Sequence, residues 1–156
     1  MLKKKNHIVP GLTKKSDLYS TARIVLDIKL FNLITAINLF FKNESVENLH
    51  SVRIALRRVR YSLEIFTLCF NKKKYISFYK KLERLQDLSG SARDLDVLTD
   101  NMIKLQTEEK IKISNKIFSS IEMNKKILND KLKLELMEFL HGKTLKDFQA
   151  IIKSKK

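Results

Sequence analysis

The sequence predicts an all-α fold, an antiparallel helical bundle of four main helices plus a short C-terminal helix. The 156 residues include only three Gly and one Pro, whereas sheet-rich folds need many tight turns and draw heavily on these residues. Apolar residues instead recur at the spacing of one helix face over long segments. The single cysteine, Cys69, excludes an internal disulfide framework. The length is typical of one domain.

The first helix is predicted to begin at Ser16, as its N-cap, and to end near Asn43. Pro10-Gly11 separates it from a flexible basic arm over residues 1–15, so the bundle is expected to cover 16–156. Lys29 falls inside the apolar stripe of this helix, where a lysine either extends to the edge or faces a wet, charged cavity. The stripe consists of Ala22, Val25, Leu26, Leu33, Ile37 and Phe40.

A second helix is expected from a Ser45 N-cap to about Phe70, and a third over about 72–88. Ser89-Gly90-Ser91 is expected to break the third helix, and a capping box over 91–94 to open a further segment ending near Leu105. A further helix is predicted over 107–141, with Gly142 as its left-handed C-terminal cap and Asn129-Asp130 as a point where it is interrupted. A short last helix is predicted over 144–152.

Two stripes run along the second helix. The core stripe comprises Val52, Ala55, Leu56, Val59, Leu63, Phe66 and Phe70. His50, Arg53, Arg57 and Arg60 form the other stripe, within about 80° of one another, whereas Arg58 points elsewhere. Like charges stacked on one helix side repel, and an arginine fork binds phosphate oxygens in pairs. The stripe therefore either binds an anion or pairs with acids on a neighbouring helix.

The net charge favours an anionic partner. The chain carries 32 Lys and Arg against 17 Asp and Glu, a formal charge of +15. Residues 1–15 hold five lysines and no acid, and residues 143–156 hold five lysines and one aspartate, so the two ends carry more than half of the excess. Such an excess opposes folding by self-repulsion. Nucleic acid, an anionic membrane and a phosphate compound are all compatible with it.

The third helix adds a second group of cations. Lys80, Lys81 and Arg84 lie away from its apolar stripe. If this helix packs antiparallel to the second, we expect Lys81 and Arg84 to lie beside the His/Arg stripe.

Two motifs then resemble one family, the conserved-histidine α-helical domain, or CHAD. The family's helix of the form His-x-x-Arg-Val-x-x-Arg-Arg-x-Arg stands here at residues 50–60 as HSVRIALRRVR. A second motif, Leu-Gly-x-x-Arg-Asp-Leu-Asp-Val-Leu, stands at 89–98 as SGSARDLDVL. Residues 16–105 carry the resemblance, and the remainder matches only in being helical and basic.

The resemblance implies a non-catalytic protein that binds inorganic polyphosphate in a basic cavity. It implies that Asp94 and Asp96 cap the helix and orient arginines. The usual family domain is about twice this long and holds two similar bundles. This chain is therefore expected to be half of a CHAD double bundle, and two copies are expected to pair as a homodimer that rebuilds the cavity. The expected polyphosphate-binding residues are His50, Arg53, Arg57, Arg60, Lys80, Lys81, Arg84, Arg93 and Lys29.

Nucleic-acid binding is the main alternative function. Against it, Trp is absent, and Phe66, Phe70 and Phe78 fall on core stripes rather than on stacking platforms. A phosphohydrolase with His50 as nucleophile would need a metal or a paired acid–base set, and no such spacing is present, so we expect no enzyme activity, cofactor or metal.

The expected compartment is the cytoplasm, with association with polyphosphate granules a further expectation. The N-terminus lacks the apolar core of a secretory signal. No run of about 18 consecutive apolar residues is present, so no membrane partner is expected.

Overall fold

The computed structural model describes residues 10–13 and 15–154, so the prediction of a flexible arm over residues 1–15 lies mostly outside the described residues. Within them the chain forms helices and no strand, which confirms the all-α prediction with four long helices and a short last one. The helices are α1 (Leu18–Lys42), α2 (Val46–Ile65), α3 (Lys72–Glu108), α4 (Asn115–His141) and α5 (Lys143–Lys153), with a short 3-10 helix at Thr67–Cys69.

Side-chain caps set the starts of the first two helices. Asp17, not the expected Ser16, caps α1: its carboxylate accepts a hydrogen bond from Ser20 N at 2.9 Å, and this bond lowers the pKa of Asp17. Ser45 caps α2 as predicted, accepting from Asn48 N at 3.2 Å. The second helix ends at Ile65 rather than near Phe70, and the 3-10 helix leads from it towards α3.

The predicted break at Ser89-Gly90-Ser91 is wrong, because α3 runs through it without interruption. Ser89 Oγ donates to Gln86 O at 2.9 Å and Ser91 Oγ donates to Asp87 O at 3.1 Å, so both hydroxyls bond within the helix instead of capping a new one. Ser89 is also fully buried. Burial on the inner face outweighs the cost of about 1 kcal/mol for a glycine in a helix interior.

The boundary between α3 and α4 also differs from the prediction. The loop lies at 109–114 rather than near Gln106, and Ser114 caps α4. Lys110 adopts a left-handed backbone with φ of 54°. Gly142 has φ of −74°, so the expected left-handed cap is wrong, and residues 129–130 continue the helix without a break.

The core lies between α1, α2, α3 and α4 and is closed by α5, which packs on α1, α3 and α4. The rings of Phe78 in α3 and Phe148 in α5 stack with centroids 4.1 Å apart. Helix α2 packs between α1 and α3, so one edge of α2 faces α1 and the other edge faces α3. This placement of α2 determines where its charged side chains point.

Helix α1 is long and apolar enough to cross a membrane by length and composition, with a mean hydropathy of 1.8 over its most apolar 18-residue window. A helix can therefore meet the length and hydropathy criteria for a membrane span without an unbroken run of about 18 apolar residues. The inner face of α1 packs in the bundle through Ala22, Leu26, Leu30, Leu33, Ile37 and Phe40, and 33% of the apolar window is buried in the fold.

Candidate functional site

The candidate site is the row of His50, Arg53, Arg57 and Arg60, called here the ladder. It follows the edge of α2 that faces α3. His50 and Arg57 are exposed, and Arg53 and Arg60 are half-buried. Among the residues that the structure describes, no acidic side chain forms an ion pair with His50, Arg53 or Arg57, whereas Arg60 Nε lies 3.4 Å from Glu64 Oε1. The ladder is thus an almost uncompensated row of cations on the surface of the single chain.

Arg60 is held by α3 as well as by its own helix. Its guanidinium lies 5.9 Å from the ring centroid of Tyr79 and 5.8 Å from that of Tyr61. Tyr79 Oη donates to Glu64 at 2.7 Å. This hydrogen bond, with burial and the carboxylate charge, raises the pKa of Tyr79 to about 12. The cluster fixes the end of the ladder and the register of α3 against α2.

That register places part of α3 opposite the remaining ladder residues. The helices are antiparallel and Tyr79 lies level with Glu64, so the equal rise of the two helices places Gln86 level with Arg57 and Arg93 level with His50. Gln86 Oε1 and Arg93 Nη1 are buried and have no hydrogen-bond partner within the described part of the chain. Both atoms therefore lie buried and unpaired in the contact between α2 and α3, where most polar groups have a hydrogen-bond partner.

Asp96 connects this contact to α4. Its carboxylate is buried, 2.6 Å from Lys125 Nζ and 3.8 Å from Arg93 Nη1. The hydrogen bond to Asp96 raises the pKa of Lys125. Asp96 is thus placed to orient Arg93, as the resemblance implied. Asp94 is exposed inside α3, so the capping role expected for it is wrong.

Lys81 and Arg84 do not lie beside the ladder, and that expectation is wrong. Lys81 Nζ lies 2.7 Å from Glu135 Oε2 of α4 and 3.4 Å from Glu138 Oε2, and Arg84 also pairs with Glu135. The hydrogen bond from Lys81 lowers the pKa of Glu135. Lys81 lies two positions after Tyr79, and two helix steps of about 100° turn it about 200° away from α2. Lys80 is exposed on the outer side of α3.

Lys29 also lies apart from the ladder. It is half-buried and lines a cleft between α1 and α2 together with Arg58. The cleft is on the opposite edge of α2 from the ladder. Arg58 points away from the ladder, as predicted, and lines this cleft.

Other functional positions were not identified from the sequence. Glu135 neutralises two predicted binding residues, and Glu64 with Tyr79 holds Arg60. Of these contacts, the sequence indicated only the pair of Arg60 and Glu64, because Glu64 lies one helix turn after Arg60. No three His, Cys, Asp or Glu side chains come together as a possible metal site in the described ranges 10–13 and 15–154.

Comparison with known proteins identifies one family. The family model described as CHAD domain matches residues 5–102, more than half of the chain. The match includes the whole of α1 and α2 and most of α3, and therefore the ladder, Arg93 and Asp96. No curated protein and no solved structure matches the chain.

Proposed function

Because the chain belongs to the CHAD domain family, we propose that it is a non-catalytic protein that binds inorganic polyphosphate along the ladder. One observation carries the proposal: three neighbouring ladder residues, His50, Arg53 and Arg57, have no acidic partner among the residues described, although acids pair elsewhere with Lys81, Arg84 and Lys125. The four ladder positions span residues 50–60, and these ten helix steps cover about 15 Å. A linear polymer of negative phosphate units complements such a row.

The side chains of the ladder suit phosphate. Each arginine presents a planar fork that can bind two oxygens of one phosphate group. A protonated His50 would donate from both ring nitrogens. Arg60 contributes an oriented fork, because Glu64 and the two tyrosine rings hold it in place. We assign Arg93 to the same site, because the register places it level with His50 and its side chain is partly exposed, although its Nη1 lies 3.8 Å from Asp96 Oδ2.

The other predicted binding residues have smaller roles in this proposal. Lys81 and Arg84 are paired with Glu135, so the protein already neutralises much of their charge. Lys80 is exposed and adds to the general positive field. This division predicts a binding site centred on the edge of α2, with α3 contributing through Arg93.

We also propose that two copies pair so that their ladders face one cavity. The ladder of a single chain is open to solvent on one side, which leaves room for a second polybasic surface. Light scattering should show a mass of twice 18.3 kDa for the polyphosphate complex. A monomer that binds the polymer tightly would contradict the pairing but not the ladder.

The decisive experiment compares Arg57→Gln with Arg58→Gln. The two arginines are adjacent in sequence, and each change removes one charge, but only Arg57 belongs to the ladder. A charge-assisted hydrogen bond contributes about 1.5–3 kcal/mol, so Arg57→Gln should weaken the binding of long polyphosphate by about 10- to 100-fold. Arg58→Gln should change it by less than about threefold. Calorimetric titration at two salt concentrations gives both affinities.

Two results would contradict the proposal. Equal losses in the two variants would contradict the ladder as the preferred site of the polymer, because Arg58 lies outside the ladder. Single-stranded RNA of matched charge that displaces polyphosphate would favour the nucleic-acid alternative. The salt dependence itself should be steep, and removing one ladder contact should reduce the slope of log affinity against log salt by about 0.7.

A further inference from the structure

We propose that the cleft between α1 and α2 is a second anion site, which takes a small free phosphate compound such as pyrophosphate. The cleft has a volume of about 280 Å³. Lys29, Asn32 and Ala36 line it from α1, and Ser51, Ile54, Ala55 and Arg58 line it from α2. The proposal goes beyond the polymer-binding function, since these residues lie on the edge of α2 opposite the ladder.

The register of the two helices brings the cations together. The lining positions in α1 are spaced three and four apart, and Ser51 in α2 is followed by Ile54 and Ala55 one turn later and by Arg58 after a second turn, so each set lies on one face of its helix. The helices are antiparallel and joined by a short connection at 43–45. Ala36 therefore lies near Ser51 at one end, and Lys29 lies near Arg58 at the other.

Small side chains leave the space open. Ala36, Ala55 and Ser51 occupy positions where larger residues would fill the contact between the helices. Ala55 is buried, and its side chain forms part of the floor. A volume of about 280 Å³ is at the lower limit of typical ligand pockets, which run from about 300 to 1,000 Å³, so it suits a ligand of few atoms.

The charges of the cleft are not balanced from within it. No acidic side chain is among its lining residues. Neither Lys29 nor Arg58 forms an ion pair with any residue in the described part of the chain. Two like charges held near each other across a helix contact repel, and an anion between them converts that repulsion into attraction.

The donors fit a compact phosphate. The Arg58 fork can bind two oxygens of one phosphate group, and the Lys29 ammonium acts as a point charge with three donors. The Asn32 side-chain amide supplies neutral donors. Ser51 Oγ already donates to Glu47 O at 3.0 Å, so its hydroxyl is left to accept from a protonated phosphate oxygen.

The test uses the alanine methyl groups as local probes. The full chain carries Ala36 and Ala55 in the cleft, whereas Ala92 and Ala150 lie in α3 and α5. In a methyl NMR titration with pyrophosphate, the Ala36 and Ala55 signals should shift in a saturable manner while the other two stay unchanged. Uniform shifts, or none, would overturn the proposal.

Three variants identify the binding groups. Lys29→Met keeps the aliphatic stem, and Arg58→Gln keeps a polar side chain, so both should fold. Each should weaken pyrophosphate binding at the cleft by about tenfold or more. Arg57→Gln, the ladder control, should leave the Ala36 and Ala55 titration within about twofold of the wild type. An equal loss in Arg57→Gln would overturn the proposal.

The two sources of phosphate are distinguished by repeating the titration with long polyphosphate. If only the polymer shifts Ala36 and Ala55, the cleft belongs to the polymer path and the second site is refuted. If pyrophosphate binds the cleft but the polymer shows no dependence on Arg57, the ladder proposal fails and the cleft stands. The failures of the two proposals are thus separable.

Discussion

Replacing Gly90 by alanine should stabilise the protein. Gly90 lies inside the 37-residue helix α3, where a Cβ added to it would meet no atom within 4 Å. The substitution therefore introduces no clash and fills no existing contact. It removes the conformational freedom that glycine has in the unfolded chain and gains helix propensity, together about 0.5–1 kcal/mol in the free energy of unfolding.

The same substitution at Gly142 should have the opposite effect. There the backbone is extended, with φ of −74° and ψ of 158°, and an added Cβ would lie 2.5 Å from the backbone oxygen of Glu138. A backbone atom cannot move aside as a side chain can. Gly142→Ala should therefore destabilise the protein by about 1–3 kcal/mol, as overpacking does.

Thermal unfolding followed by circular dichroism measures both changes. For a domain of this size, 1 kcal/mol corresponds to about 2–4 °C in Tm, so Gly90→Ala should raise Tm by about 1–4 °C. Gly142→Ala should lower it, and its failure to do so would show that the α4–α5 junction readily rearranges. A lower Tm for Gly90→Ala would refute the reasoning, because it would mean that α3 is not a regular helix at this point.

Three further substitutions test the ion-pair network. The pKa of Glu135 is lowered in the fold, so its ion pairs stabilise the protein above the ordinary carboxyl pKa, and this stabilisation is lost as pH falls through the lower pKa of the folded state. Glu135→Gln should therefore lower the free energy of unfolding by about 1–3 kcal/mol at pH 7 and by progressively less below a pH of about 4. Urea unfolding at several pH values measures the difference. The Tyr79 phenol should ionise near pH 12 by ultraviolet titration, and Glu64→Gln should lower that pKa; an unchanged value would contradict the role of the hydrogen bond. Stability should decline between the ordinary tyrosine pKa of about 10 and the folded value, because the folded state retains the proton. Asp96→Asn should destabilise the protein by about 1–3 kcal/mol in urea unfolding at pH 7, because it leaves the Lys125 ammonium without its carboxylate partner; an unchanged stability would contradict the role of this ion pair.

Local sequence patterns predicted the position of the ladder correctly. The phase of α2 followed from the spacing of its apolar residues, and six of the seven predicted core positions are buried, the exception being half-buried Phe70. The Ser45 cap was predicted from its residue type and its position just before the helix, and the structure confirms it. Helical periodicity and capping depend on residues within about four positions of each other, so they can be inferred without the fold.

The error at Ser89-Gly90-Ser91 shows the limit of local patterns. The same residue types that begin or end helices also occur inside them when their hydroxyl groups bond to the preceding turn. The buried inner face of α3 decided between these outcomes, with Leu85 and Ala92 packed on either side of the segment. Whether a propensity is overridden depends on packing against other helices, which the local sequence does not specify.

Which cations are free and which are neutralised was decided by the tertiary structure. Lys81 pairs with an acid 54 residues away, and Lys29 lies near Arg58 only because α1 and α2 form an antiparallel pair. The sequence by itself determined the helical class, the phase of α2 and the family of the chain, since these depend on residue type and near-neighbour spacing. The fold determined the charge balance of each surface, because electrostatic pairing depends on distance in space and joins residues that are remote in the chain.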